Sequence, residues 1–288
     1  MSFNEKYLSI FELVKEDVER VKTSLFNGIE LDEPLKSKLF DILKAPSKHI
    51  RTVLCFLYLK AAGMEIDKKQ VLFHSAIELV HNASLIHDDV IDESSTRRTI
   101  QTINSKFDNK LAVIVGDYLL SVALKKIRKL NIPEIVDMFA QTLDDMCQGE
   151  VKQNFSRFKI PTIEEYIEKT ELKTAKLFET ALNGSLKLTN CKFSAMSENV
   201  EFARNFGIAF QIRDDLINAK TSQKDFKDGI YTAPVIFAGS VEDFQNGIEK
   251  TQILLNNYVE SAQKEIEKFE ESEYKCALIK LLGLIRDE

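Results

Sequence analysis

Residues His81 to Arg98 read HNASLIHDDVIDESSTRR, and this stretch decides how the rest of the chain is read. Asp88 and Asp92 are four residues apart, so on a helix their carboxylates share one face, with Asp89 beside them. Leu85, Ile86, Val90 and Ile91 surround the acids, which argues against a solvated acidic surface. Carboxylates among apolar neighbours need a compensating charge, and a hard cation held through oxygen supplies one. Arg97 and Arg98 follow shortly after. Far downstream, Asp214-Asp215-Leu216-Ile217-Asn218 repeats the i, i+1, i+4 spacing with asparagine in the last place. Two such clusters facing each other across an oily tunnel, with arginines nearby, suit the handling of a diphosphate.

Outward from this stretch, helical periodicity dominates and strand alternation is nearly absent. Only 10 glycines and 5 prolines punctuate the chain. Leu8, Phe11, Val14, Val18, Val21 and Leu25 form one stripe, closed by Gly28. Further helices are expected over Pro34 to Lys44, from Pro46-Ser47 to Gly63, and from an Asp67 cap to the first acidic cluster. Others are expected over Asn109 to Leu130 and Pro133 to Phe158. Thr162 and Glu165 have capping-box spacing, and Ser197 is placed to cap the helix reaching the second cluster. Residues 220–229 read as a loop, with more helices from Tyr231 onward. The expected fold is all-α, a single domain over residues 1–288 with long helices around a deep cavity.

Composition narrows the function. Hydrophobic residues make up 44% and charged residues 29% of the 288, as in ordinary globular proteins. A net charge of −6 argues against non-specific nucleic-acid binding. Cys55, Cys147, Cys191 and Cys276 show no CxxC spacing and read as free thiols in a reducing compartment. The charged N-terminus lacks a signal-peptide core, and no apolar run is long enough to span a membrane. A cytoplasmic protein is expected.

Taken together, the motifs resemble those of the trans-isoprenyl diphosphate synthases, the polyprenyl synthetase family, over roughly residues 40 to 240. HNASLIHDDVIDESSTRR resembles that family's first aspartate-rich motif with its arginine pair. GDYLL at Gly116 to Leu120 is similar to the helix that follows. KTAKLF at Lys173 to Phe178 resembles the lysine-threonine motif, and FQIRDDLIN at Phe210 to Asn218 the second aspartate-rich motif.

The resemblance implies a long-chain enzyme, similar to octaprenyl diphosphate synthase, with two or three Mg2+ ions bridging the substrate diphosphate. Asp88, Asp89 and Asp92 would bind metal for the allylic diphosphate, and Asp214 and Asp215 a further ion. Arg97 would contact the allylic diphosphate, while Lys48, Arg51, His81 and Arg98 would bind isopentenyl diphosphate. Lys173, Thr174 and Gln211 would line the substrate site, the first two where a helix bends so that carbonyl oxygens face the allylic cation. The metal would neutralise the leaving group, and the isopentenyl double bond would attack the cation. A homodimer is also implied.

Departures from the family pattern fall on isopentenyl and third-metal contacts. The glycine-glycine-lysine-arginine-x-arginine stretch is Pro46-Ser47-Lys48-His49-Ile50-Arg51, Asn218 replaces an aspartate, and Ile230 stands where a lysine is expected. They motivate a second reading, a weakly active or non-catalytic subunit of a heteromeric synthase. His87-Asp88 also matches the histidine-aspartate pair of all-α phosphohydrolases, but no histidine follows His87.

Product length in the family depends on the pocket beneath the first motif. The places four and five residues before Asp88 hold Ser84 and Ala83, too small to plug a tunnel. A product beyond four isoprene units, for a quinone side chain, is expected, with Met138 or Phe139 as floor.

Overall fold

The computed structural model describes residues 3–189 and 201–287. Its elements, in order, are α1 (Phe3–Phe11), a 3-10 turn (Glu12–Val14), α2 (Lys15–Leu25), α3 (Leu35–Lys44), α4 (Ile50–Ala61) and α5 (Lys68–Ile91). Then come β1 (Thr96–Arg97), β2 (Ile100–Gln101), α6 (Ile103–Lys106), α7 (Asn109–Lys129), α8 (Pro133–Phe155) and α9 (Ile163–Thr170). A π-helical turn (Glu171–Ala175) joins α9 to α10 (Lys176–Leu188). The chain ends with α11 (Glu201–Lys220), α12 (Lys224–Lys227), α13 (Ala233–Ala238), α14 (Gln245–Ile266) and α15 (Glu273–Arg286). The expected Ser197 cap lies outside the described residues.

Several boundaries follow from local chemistry. The Asp67 side chain accepts from the Gln70 amide at 2.9 Å and starts α5. At α9 the capping box is complete: Thr162 accepts from the Glu165 amide at 3.2 Å, and Glu165 accepts from the Thr162 amide at 2.8 Å. The opening stripe differs from expectation. A 3-10 turn interrupts it, and Tyr7 and Ile10 are buried in place of Leu8, which is 56% exposed. Helix α4 begins at Ile50 rather than Pro46, because His49 takes a left-handed backbone (φ 47°) that cannot continue a helix. Helix α8 ends at Phe155, and Phe158 (φ 61°) lies beyond it.

Internal contacts divide the chain into two compact units. The first comprises Val14–Phe56 and Glu65–Val136, with α5 packed on α7 and α2. Its core is built from Val18, Val21 and Leu25 of α2, Phe73, Ile77 and Val80 of α5, and Val115, Leu119 and Ile127 of α7. The second comprises Met1–Leu13, Leu57–Met64 and Asp137–Glu288, with α11 against α14, α10 and the π turn. Tyr58, Phe178, Phe202, Phe206 and Phe269 supply its aromatic core.

One buried charge in the first unit gives a stability prediction. Lys126 of α7 is 3% exposed and donates to the Ser24 carbonyl at 2.6 Å, at the C-terminal end of α2 where a cation is favoured. Burial pushes its ammonium down to about 8, with Lys129 adding to the effect. Below that pH the group is charged both folded and unfolded, and the folded state bears the desolvation. Between about 8 and 10.5 the folded chain releases a proton that the unfolded chain keeps, so stability rises with pH through that window. Denaturant unfolding should show this rise, at most about 3 kcal/mol, and Lys126→Met should abolish it. Parallel pH curves for the two proteins would contradict this account.

Candidate active site

The first acidic cluster forms the C-terminal end of α5. Asp92 is the C-cap residue, its amide donating to the Asp88 carbonyl at 2.8 Å, and Glu93 turns left-handed (φ 49°) to end the helix. The three acids sit in different surroundings. Asp89 is buried and accepts from the Arg97 Nε at 2.8 Å, while Asn104 donates to its backbone carbonyl. Asp88 is half-buried and Asp92 exposed. Asp89 therefore anchors Arg97, whose guanidinium is fixed through Nε, and the more accessible carboxylates are Asp88 and Asp92.

His87 lies over Gly116 of the GDYLL segment, where a Cβ would come within 2.1 Å of its ring. Its Nε2 is 3.4 Å from the Asp117 carboxylate. It is therefore engaged with α7 and not gathered with further metal-binding histidines.

The hairpin after α5 was not foreseen. β1 and β2 pair antiparallel, Thr96 opposite Gln101 and Arg97 opposite Ile100, around Arg98 and Thr99. Both turn residues are left-handed (φ 51° and 66°), conformations that cost non-glycine residues energy and cluster at functional sites.

The Arg51 and Arg98 guanidiniums both act electrostatically on His81. Burial, followed by the Arg51 and Arg98 guanidiniums, holds His81 well below the usual imidazole range, so it is neutral. Arg98 is itself lowered by burial, with Glu78 opposing. Arg51 is on the first turn of α4, whereas Lys48 lies before that helix rather than on it. His74 is fully buried between Phe56 and Phe73 and pushed down to about 3 by desolvation, as expected of a packed core histidine.

Glu78 was missed in the sequence. It is 2% exposed, accepting from the Thr52 hydroxyl at 2.7 Å and pairing with His49 Nδ1 at 2.8 Å. Burial alone would raise its carboxyl, but pairing with His49 and the hydrogen bond from Thr52 outweigh this and hold it at about 2. Its signal was a lone acid flanked by Ala76, Ile77, Leu79 and Val80.

In the second unit a hydrogen-bonded chain runs from the π turn to α11. Thr174 Oγ1 donates to Gln211 Oε1 at 2.9 Å, and Gln211 Nε2 donates to Asp215 Oδ1 at 2.8 Å. The Tyr166 hydroxyl donates to Asp215 Oδ2 at 2.6 Å. Asp215 is buried, and desolvation raises its carboxyl against the pull of Lys169, Tyr166 and Gln211. Asp214, 45% exposed at its side chain, contacts Arg213 at 3.3 Å. Both clusters thus anchor their second aspartate and leave the first more accessible. Lys173 pairs with Glu150. Sequence reasoning overlooked Tyr166, Lys169 and Glu150. The first two were legible as a face shared with Lys173, at spacings of seven and four.

The expected irregularity at Lys173 and Thr174 takes the form of the π turn, a feature that recurs at functional sites. Two glycines let neighbouring helices approach it. A Cβ on Gly149 would come 2.6 Å from the Lys173 amide nitrogen, and one on Gly207 would come 2.7 Å from the Ala175 Cα. Gly207→Ala should therefore cost about 1–3 kcal/mol as overpacking against backbone. Thermal unfolding checks this, and an unchanged midpoint would mean that the turn is not held by close approach.

Beneath the first motif, Ala83 is fully buried (0% exposed) and Ser84 is half-buried, its hydroxyl donating to the His81 carbonyl at 2.9 Å. Of the two expected chain-length positions, Ala83 is thus packed and Ser84 partly accessible. Phe139 is buried and Met138 half-buried.

Among the described residues, no group of three or more His, Cys, Asp or Glu side chains converges on a metal site. Magnesium typically takes one or two carboxylates together with substrate phosphates. Asp88, Asp92 and Asp214 offer the hard oxygen donors it prefers.

Residues 32–274 match the polyprenyl synthetase family model, and the chain belongs to that family. It is 33% identical over 250 residues to a prenyl transferase of Cyanidium caldarium, covering 83% of this chain and 76% of the relative. It is 34% identical over 199 residues to a decaprenyl-diphosphate synthase of Dictyostelium discoideum, covering 66% of this chain and 43% of that protein. A decaprenyl diphosphate synthase from Rhodobacter capsulatus superposes with a TM-score of 0.89 over 98% of both chains at 22% identity, which establishes a shared all-α fold. Among the described residues, no helix is long and apolar enough to cross a membrane.

Proposed function

We propose that this chain is a magnesium-dependent, long-chain trans-polyprenyl diphosphate synthase that condenses isopentenyl diphosphate onto an allylic diphosphate such as farnesyl diphosphate. The observation that carries the reading is the pair of acidic clusters, each with its second aspartate anchored and its first carboxylate more accessible, in a chain whose Arg51 and Arg98 guanidiniums act on a neutral His81. Guanidiniums match phosphate geometry, and a neutral imidazole adds a donor without further charge repulsion.

Asp88 and Asp92 would hold magnesium on the allylic diphosphate and Asp214 a further ion, and the bound metal would act as Lewis acid toward the leaving group. Asp89 would orient Arg97 toward that diphosphate. Thr174, fixed by Gln211 and through it by Asp215, would hold the π turn so that fixed dipoles face developing positive charge. A neutral His81 with Arg51 and Arg98 acting on it, together with Lys48, would receive isopentenyl diphosphate. A cytoplasmic homodimer serving quinone side-chain synthesis completes the proposal.

The test is incubation of purified protein with Mg2+, farnesyl diphosphate and labelled isopentenyl diphosphate, followed by chromatography of the dephosphorylated product. A product longer than four isoprene units is expected. No condensation by the isolated chain would favour the partner-dependent subunit.

A further inference from the structure

We infer that Glu78 is a positioning residue for the diphosphate of isopentenyl diphosphate, bracing the turn that starts α4 against α5. The inference rests on the proposed function and assigns this buried acid a role within it.

The geometry is specific. Glu78 sits in the middle of α5, and its two carboxylate oxygens reach two residues of the α4 start: Oε2 pairs with His49 Nδ1 at 2.8 Å, and Oε1 accepts from Thr52 Oγ1 at 2.7 Å. His49 and Thr52 flank Arg51 in sequence, and Lys48 directly precedes His49. On α5, His81 follows Glu78 by one helical turn, on the same side. One carboxylate therefore fixes the register between the turn carrying Lys48 and Arg51 and the helix carrying His81.

Three further observations fit. His49 is 8% exposed and directed to Glu78, so the imidazole where the family pattern carries arginine serves the brace and not the phosphate. Its left-handed backbone is the kind of local strain that surrounding contacts must hold in place. Glu78 is also the carboxylate whose charge acts on both His81 and Arg98. A buried anion with both oxygens engaged stays put, so the cations around it remain spaced for a phosphate before one arrives.

The alternative is that Glu78 merely offsets positive charge. Glu78→Gln separates the two, since it keeps shape while removing charge and one acceptor. If Glu78 positions, the variant should bind isopentenyl diphosphate at least tenfold more weakly by calorimetry and raise its KM similarly. The KM for farnesyl diphosphate should stay within about twofold. Thr52→Val, which removes only one contact, should give a smaller change in the same direction, and the double variant should be no worse than Glu78→Gln alone. Unchanged or tighter binding by Glu78→Gln would overturn the inference, as would equal losses for both substrates in step with lost thermal stability. Wild-type protein that neither binds nor consumes isopentenyl diphosphate would instead remove the proposed function.

Discussion

Asp88→Ala should lower kcat by roughly 10³-fold or more, because in the proposed function it removes the half-buried carboxylate that would hold metal against the allylic diphosphate. Asp214→Ala should cost roughly 10²-fold by the same reasoning, since Asp214 is the accessible acid of its cluster. Asp89→Asn should act differently. Asp89 anchors Arg97 at 2.8 Å, so its loss should raise the KM for the allylic substrate more than it lowers kcat. Labelled isopentenyl incorporation under saturating Mg2+ measures all three, with circular dichroism melting as a control for folding. An Asp88→Ala enzyme within tenfold of wild type would refute the assignment.

Ser84→Phe should shift the product from long chains toward four or fewer isoprene units. Ser84 lies one helical turn before Asp88 and is half-buried, so a ring there can occupy space that a growing chain would use. Ala83→Phe should behave otherwise. Ala83 is fully sealed, so a phenyl ring would be forced into packed core and destabilise the protein by roughly 1–3 kcal/mol or more. The pair of variants separates a chain-length position from a packing position in one chromatogram and one melting curve. Long product from a stable Ser84→Phe enzyme would remove Ser84 from the chain-length account.

The long helices were legible because their apolar spacing and end signals agree. Asp67 and the Thr162–Glu165 box cap helices where side-chain oxygens and following amides predict. The acidic clusters were equally plain, since i, i+4 spacing is a local property. What escaped was set by tertiary contact. Arg98-Thr99 carries no glycine or asparagine to mark a tight turn, yet both residues adopt left-handed backbones at the hairpin tip. Pro46-Ser47 looked like a helix start, but His49 delays it while pairing with an acid far along the chain. Leu8 and Tyr7 could each have continued the opening stripe, and the 3-10 turn settles the phase in favour of Tyr7. The roles of Asp89 and Asp215 as anchors depend on Arg97, Gln211 and Tyr166, which periodicity does not connect.

The most direct test of the central claim counts divalent ions. Mn2+ binding, followed by electron paramagnetic resonance with a non-ionisable allylic thiodiphosphate, should require the diphosphate and reach two or three ions per chain. Asp88→Ala and Asp214→Ala should each lower that number. Ion binding that ignores the diphosphate, or survives both substitutions undiminished, would contradict the account.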